Sequence, residues 1–397
     1  MPYRALPQCE SRRTAEKEDI CLPQRESRRI TEYMKIIFFG AGKLGREALE
    51  LFETENKTAD EVIGFADNRK TGSYCGRPIL PIGDVADKDT AFVITVEDPY
   101  AAAEIYYLLK KRGFSSIYCF LNRRSGEKTY DDFLQKECLS AAGWGDCILP
   151  QVEMHIADYC NLNCKGCTHF SPIFEKTLPD FKGRLADVRR LKEKFSYILH
   201  FSILGGEPFL NQEIARYVTK LREILPDTYL QIVTNGLLIP SLDGAVLDSI
   251  RTNRVVVSIS EYKPTHKMID QIRDTLEANG IDYIIRPFAS KEKFLRPLTL
   301  SEHTVHPHKC ISNGCVNIWE GKIARCPTLM YIDKFNETFG TNLPNQGIME
   351  LANCPSGAKL LEELAKEVPL CGHCVACEIE WENCKAKPAL EDFAAND

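Results

Sequence analysis

Long apolar runs are missing from this chain. None approaches the roughly 20 residues that a membrane-spanning helix needs, so no spanning segment is expected. A basic block is missing too, and the formal net charge is −6. Nothing therefore points to nucleic acid or to an anionic membrane as a partner. The amino-terminal stretch holds Arg12, Arg13, Arg28 and Arg29 with no apolar segment behind them, which excludes a secretory signal. Residues 1–33 are expected to be disordered, with Met34 as the natural start directly ahead of a strand. Without export, the expected compartment is the cytoplasm, and a disulfide framework is not the expected use of cysteine.

What the chain does have is thiols. Seventeen cysteines lie in 397 residues, eleven of them in two groups, 160–167 and 310–384. Such clustering favours metal over scattered core thiols. The length suits two or three domains of about 100–200 residues each. A content of 44% hydrophobic and 27% charged residues is ordinary for a globular protein.

A first domain is expected over 34–122. Lys35–Phe39 reads as a buried strand, followed by Gly40-Ala-Gly42-Lys-Leu-Gly45 and an amphipathic stretch over 46–52. Strand, G-x-G-x-x-G and helix in that order present backbone N–H groups to a phosphate. A second strand, 62–65, ends at Asp67, where an acidic ribose ligand would sit. Strands over 91–95 and 117–120 and a helix over 99–112 complete a parallel α/β unit. The unit resembles the small Rossmann-like nucleotide-binding domain that precedes sugar acyltransferases and other sugar-modifying enzymes. Gly40, Gly42, Gly45 and Asp67 are its candidate ligand residues. The other reading is a scaffold whose glycines only permit a tight turn and close packing. Cys75 and Cys119 read as core or loop thiols, and 123–150 as a helical linker.

From 151 to 290 strands and helices alternate. Strands are expected over 151–157, 201–204, 230–233, 255–259 and 283–285, with helices near 185–199, 213–225, 245–250 and 267–278. This alternation implies parallel strands with right-handed crossovers, and five or six such units make a partial (β/α)6 TIM-like barrel. Sites in barrels form at the carboxyl ends of strands, and the motifs below fall there. Residues 291–397 differ in character, with prolines at 297, 307, 327, 344, 355 and 369. An irregular Cys-rich domain is expected. The fold class is α/β in three parts.

The chain is organised around Cys160-Asn-Leu-Asn-Cys164-Lys-Gly-Cys167, a C-x3-C-x2-C run. Thiolates are soft ligands that suit iron–sulfur clusters or zinc, and no fourth ligand follows at zinc-finger spacing. A [4Fe–4S] cluster usually takes four cysteines, so three leave one iron open. The spacing resembles the signature of the radical S-adenosylmethionine (SAM) superfamily. Gly205-Gly206-Glu207-Pro208, Thr234-Asn235-Gly236 and Ser258-Ile-Ser260 strengthen the resemblance.

The resemblance implies a [4Fe–4S] cluster on Cys160, Cys164 and Cys167, its open iron chelated by the amino and carboxylate groups of SAM. One electron from the reduced cluster then splits the sulfonium, giving methionine and a 5′-deoxyadenosyl radical that abstracts a substrate hydrogen. It also implies that Gly205, Gly206 and Glu207 meet the SAM ammonium group, and that Asn235 and Ser258 reach its ribose or carboxylate. Thr234 and Ser260 are weaker candidates for the same role. Arg286 is a candidate partner of the SAM carboxylate, with a surface salt bridge as the alternative. The family often places an aromatic residue before the third cysteine, where this chain has Gly166; Phe170 is the candidate to pack near adenine instead. His169 reads as lining the site.

Cys310, ten residues, Gly321, four residues and Cys326, then Cys371-Gly-His-Cys374-Val-Ala-Cys377 and Cys384, form the second constellation. It resembles the auxiliary-cluster extension of radical SAM enzymes, SPASM or its shorter twitch form. The second half departs from the usual spacing, so one auxiliary [4Fe–4S] cluster is expected. Its candidate ligands are Cys310, Cys326, Cys371 and Cys374, with Cys377 as a substitute and a zinc site from the same thiols as the alternative. Cys315, Cys354 and Cys384 stay unassigned. His303, His306 and His308 read as solvated loop residues.

The expectation is thus a radical SAM enzyme fed by an external electron donor such as flavodoxin or ferredoxin. Its substrate is a small molecule or a peptide: the first domain leans toward a nucleotide-sugar or polysaccharide precursor, the extension toward a peptide. No catalytic acid, base or radical-quenching residue is singled out. A non-catalytic metal-binding or redox-sensing protein is the alternative. The Gly205–Pro208 turn argues against it, since a sensor needs no ammonium-binding loop.

Overall fold

The computed structural model describes residues 33–120, 133–287, 293–302, 310, 312 and 314–395. The expectations for 1–32, for 121–132 and for His303, His306 and His308 lie outside the described residues. Two compact units are present, the first ending at Cys147 and the second beginning at Ile148. No helix among the described residues is long and apolar enough to cross a membrane.

In the first unit, β1 (Lys35–Phe39) leads into α1 (Lys43–Glu55) and β2 (Glu61–Ala66). A small hairpin, β3 (Ser73–Tyr74) and β4 (Arg77–Pro78), precedes β5 (Ala91–Ile94), α2 (Pro99–Lys111) and β6 (Ile117–Phe120). The sheet order is β2-β1-β5-β6, all parallel, with β7 (Cys138–Ser140) on the outer edge of β6. Local chemistry sets the helix ends: Asp98 caps α2 by accepting from Tyr100 N–H, Pro99 follows it, and Lys110 and Lys111 sit in the last turn. Leu44, Ala48, Leu49 and Phe52 of α1 pack with Phe38 and Phe65 in one core.

The stretch expected as a helical linker, 123–150, differs. Its described part gives α3 (Phe133–Lys136) and β7 (Cys138–Ser140), and β7 pairs antiparallel with β6. Trp144, fully buried against Tyr106 at 5.1 Å, ties the following turn down. The glycines on either side of Trp144 hid this anchoring in the sequence.

The second unit begins with β8 (Ile148–Ala157), three residues earlier than expected because Ile148 and Leu149 are already buried. There follow α4 (Phe181–Lys194), β9 (Tyr197–Gly205), α5 (Ile214–Ile224), β10 (Tyr229–Thr234), α6 (Gly244–Thr252), β11 (Val256–Ser260), α7 (Lys263–His266), α8 (Ile269–Ala278) and β12 (Tyr283–Arg286). Asp180 and Asp243 cap α4 and α6 through their carboxylates. Strands β8 to β12 are parallel neighbours in chain order.

These are five strands rather than six. The sixth parallel neighbour comes from the region expected to be irregular: β14 (Asn317–Trp319) pairs with β8 on its free edge. β15 (Lys322–Ala324) and β16 (Met349–Glu350) then extend the sheet antiparallel. A separate sheet holds β13 (Lys293–Thr299) between β17 (Cys374–Glu380) and β18 (Ala394–Ala395). Helices α9 (Pro327–Met330), α10 (Ile332–Phe339) and α11 (Gly357–Ala365) complete the region. Its prolines do not abolish order. Pro327 opens α9, where its missing N–H costs nothing.

Register sorts the barrel strands into two faces. Val152, Met154, Ile156, Phe201, Ile203, Leu230, Ile232, Val257 and Ile259 make one face, all buried and apolar. On the other, Glu153 stands opposite Ser202 and Asn317, and Ser202 opposite Gln231. Ser258 lies on this polar face too, opposite Val233. Gln231 donates to Ser202 at 2.8 Å, and Asn317 to Glu153 at 3.1 Å.

Candidate active site

The cysteine loop leaves β8 directly, and the Gly205 turn leaves β9 beside it. The two are stitched by backbone: Gly206 N–H donates to Ala157 O at 2.8 Å, and Glu207 N–H to Tyr159 O at 3.1 Å. The approach is so close that only glycine fits. A Cβ on Gly205, whose φ is +149°, would lie 1.9 Å from Ala157 O; one on Gly206 would lie 2.1 Å from Tyr159 O.

Glu207 is fully buried. Its carboxylate accepts from Phe209 N–H (3.1 Å), the Thr234 hydroxyl (2.7 Å) and Asn235 N–H (2.9 Å). Burial pushes its pKa up and the three donors oppose that, leaving it at about 7. The residue is therefore an internal tie between the turn after β9 and the turn after β10. Asn235 carries the tie onward: its Nδ2 donates to Asn161 Oδ1 at 2.7 Å and lies 3.8 Å from Cys160 Sγ. Ser258 and Ser260, both buried, sit at the end of β11, and Arg286 ends β12 on the exposed side.

The three thiols share one electrostatic environment. Cys160 is raised to about 12, by burial first and then by the charges of Glu207 and Cys167. Cys164 is raised by burial and by Cys167 and Cys160. Cys167 moves the other way: burial would raise it, but His169 beside it outweighs that and holds it below the ordinary thiol value. His169 in turn is lowered by burial but carried up to about 9 by Cys167 and by Glu153, whose Oε2 is 3.7 Å away.

Donors also aim at the sulfurs. Leu162 N–H reaches Cys160 Sγ at 3.4 Å, and Trp381 Nε1 reaches Cys164 Sγ at 3.1 Å. Soft thiols on one loop, met by N–H donors, are the donor set of an iron–sulfur cluster. Among the described residues, no three His, Cys, Asp or Glu side chains are arranged to hold a single metal ion. The thiolates of a cubane each meet a different iron and need not converge on one point.

Phe170 belongs to a core cluster against which Cys167 packs. Its left-handed backbone (φ 51°) turns the ring into a fully buried cluster with Phe335 (4.9 Å) and Phe393 (5.7 Å). Two further aromatics attend the thiols: Tyr262, whose pKa burial and all three cysteines raise, and Trp381, 5.7 Å from the Tyr262 ring. Neither has a sequence signal: each reaches the loop from far along the chain.

In the carboxyl-terminal region Gly321 occupies the tip of the β14–β15 hairpin. Glu320 and Gly321 both have positive φ, the two-residue turn that a tight hairpin favours. The C-x10-G-x4-C spacing thus measures out a hairpin with a cysteine after its second strand. Cys374 is raised by burial, then by the charges of Cys326, Cys371 and Cys310; Cys326 reaches about 12 under burial, Cys310 and Cys371. Cys310, Cys326, Cys371 and Cys374 thus feel one another's charge. Arg325 Nη1 lies 3.9 Å from Cys371 Sγ. Cys315 is a further neighbour of Cys326 and Cys310, whereas Cys377 contacts Glu378 O and Cys354 contacts Glu350 O.

In the first unit, Asp67 is engaged by its own loop. Oδ2 accepts from Ala41 N–H at 2.9 Å, and Oδ1 from Arg69 and Lys70 N–H. Burial opposes these bonds, but they keep the carboxyl below its ordinary range. Cβ atoms on Gly40 and Gly45 would strike Thr95 O and Gly40 O, while one on Gly42 would meet open space.

No curated protein matches the chain. Among solved structures, native anSMEcpe with bound AdoMet and Cp18Cys peptide is 18% identical at a TM-score of 0.28, over 35% of this chain and 42% of that one. BtrN in complex with AdoMet and 2-DOIA is 14% identical at a TM-score of 0.34, over 56% of this chain and 92% of that one. Streptococcus suis SuiB bound to precursor peptide SuiA is 16% identical at 0.26, over 47% and 51%. TM-scores this low establish no shared fold, and the chain spans less than half the length of the first of these. The family comparison is independent of them. Residues 154–280, from β8 through α8, match the Radical SAM superfamily, and this match supports an enzyme of that class.

Proposed function

We propose that the chain cleaves S-adenosylmethionine reductively and uses the product to abstract hydrogen from a polar substrate. The observation that carries this is the pairing of the three-thiol loop with a glycine turn that can tolerate no side chain. When bound and reduced, a [4Fe–4S] cluster would supply one electron to the sulfonium of SAM, whose carbon–sulfur bond would break to methionine and a 5′-deoxyadenosyl radical. Cys160, Cys164 and Cys167 would hold that cluster.

The remaining work falls to this chain's own side chains. The Gly205–Gly206 turn holds the cysteine loop tightly against the end of β9. Glu207 fixes Thr234 and Asn235, and Asn235 and Ser258 would meet the ribose or carboxylate of SAM. Cys310, Cys326, Cys371 and Cys374 would hold an auxiliary [4Fe–4S] cluster. The polar row of Glu153, Ser202, Gln231 and Asn317 suits a hydrogen-bonding substrate, such as a nucleotide-sugar, a polysaccharide precursor or a peptide. Gly42 leaves room for a nucleotide phosphate in the first unit, although Asp67 is occupied by backbone. A flavodoxin or ferredoxin would deliver the electron.

The test is anaerobic reconstitution with iron and sulfide, reduction with dithionite and assay for 5′-deoxyadenosine. Wild type should form it from SAM and Cys164→Ala should not. Equal background from both would end the proposal.

A further inference from the structure

The segment after β17 runs back over the cysteine loop and clasps it. Lys165 N–H donates to Glu382 O at 2.9 Å, Cys384 N–H to Asn163 O at 2.7 Å, and Gly166 N–H to Asp392 O at 2.7 Å. Cys164 and Asn383 form an antiparallel bridge, and Asn383 Nδ2 also donates to Leu162 O. Lys165 Nζ closes an ion pair with Glu382 at 2.7 Å. Residues 381–392 thus pair with the very loop that carries the three thiols.

One side chain of this strap touches a sulfur. Trp381 Nε1–H points at Cys164 Sγ from 3.1 Å, and the indole is braced on the Tyr262 ring at 5.7 Å and 31°. Cys164 is 8% exposed, so water competes little for that sulfur. Indole N–H is a donor only, which leaves this contact a single sense: hydrogen to sulfur.

We propose that Trp381 is a positioning residue that sets the reduction potential of the cluster on Cys160, Cys164 and Cys167. The inference rests on the reading that these thiols hold the SAM-cleaving cluster. Reduction adds negative charge to a cluster and its thiolates. A fixed N–H donor stabilises the reduced form more than the oxidised one, and hydrogen bonds to the sulfurs are among the levers that set such potentials. Trp381 therefore raises the potential and makes the electron easier to accept. The strap holds the donor in place through backbone bonds that do not depend on the indole.

The experiment is an EPR-monitored redox titration of the reconstituted full-length protein, following the signal that changes when SAM is added. Trp381→Phe keeps an aromatic ring on Tyr262 and removes only the donor. Its potential should fall by an amount equal to a roughly tenfold less favourable reduction, about 59 mV for one electron, at unchanged iron and sulfide per chain. Protein labelled with 15N-indole tryptophan should show a 15N coupling to the reduced cluster, lost in Trp381→Phe. An unshifted potential overturns the inference. So does a missing 15N coupling in the wild type, which decides the matter even if the variant fails to fold. If no wild-type signal responds to SAM, the cluster assignment itself has failed and the inference falls with it.

Discussion

Glu207 offers a prediction whose size and sign can be worked through. Its carboxyl is fully buried, and its pKa of about 7 lies above the 4.5 expected in the unfolded chain. The sign follows from linkage. A folded pKa raised above the unfolded one means that the native state holds its proton longer, so this group's stabilising contribution is complete below about 4.5 and is lost as pH rises toward 7. The full span, at about 1.4 kcal/mol per unit, is on the order of 3 kcal/mol.

Glu207→Gln removes the titration. The amide cannot accept from all three partners, since its NH2 must face Phe209 N–H or Asn235 N–H. That costs about 1–3 kcal/mol, but the cost does not vary with pH. The assay is urea unfolding of the metal-free protein at pH 5, 6, 7 and 8, wild type against Glu207→Gln. Subtracting one from the other cancels every other titrating group. Wild type should lose stability relative to the variant between pH 5 and 7 and hold a constant offset above 7. A difference that stays flat across the series would refute the assignment of a raised pKa to Glu207.

Gly206→Ala should destabilise by roughly 1–3 kcal/mol or more, since the new methyl meets the Tyr159 carbonyl and no rotamer can relieve a backbone clash. Denaturant unfolding and 5′-deoxyadenosine yield should fall together, and normal values in both would show that the two turns are not so closely apposed. Cys326→Ala with Cys371→Ala should lower iron and sulfide per chain by one cluster and leave the SAM-responsive EPR signal intact. Zinc retained with no iron lost would refute the auxiliary cluster.

Much of the candidate site is legible in the chain, because the thiols, Gly205–Glu207, Thr234–Asn235 and Ser258 all sit at the ends of strands that apolar runs announce. Lys35–Phe39 and 283–285 are visible for the same reason. What escapes is long-range. β14 has only three residues, and its partner β8 lies more than 150 positions away, so nothing in Asn317–Trp319 says that it joins the barrel sheet. Trp381 approaches Cys164 across 217 residues. Phe170 has a left-handed backbone that no feature of the sequence announces. Glu207 presents the opposite case: the motif identifies it, but only the three donors reveal that its carboxylate faces inward to Thr234 and Asn235.

These omissions share a cause. A break at residue 290 separates alternating strands and helices from a proline- and cysteine-rich stretch, and composition therefore suggests a core domain with an appendage. The contacts argue otherwise. β14 pairs with the exposed edge of β8, the strand that delivers the cysteine loop, while the strap after β17 bonds to the loop itself. Without residues beyond 290, the β8 edge would carry unpaired N–H and C=O groups, and the backbone N–H groups of Lys165 and Gly166 would lose their acceptors. Opened to water, those groups would exchange fixed protein partners for mobile solvent, and nothing would hold the loop's backbone in its bonded conformation. The loop that must hold three sulfurs in a fixed triangle is therefore finished by the carboxyl-terminal region, so its geometry belongs to the whole second unit rather than to the segment from 154 to 280 alone.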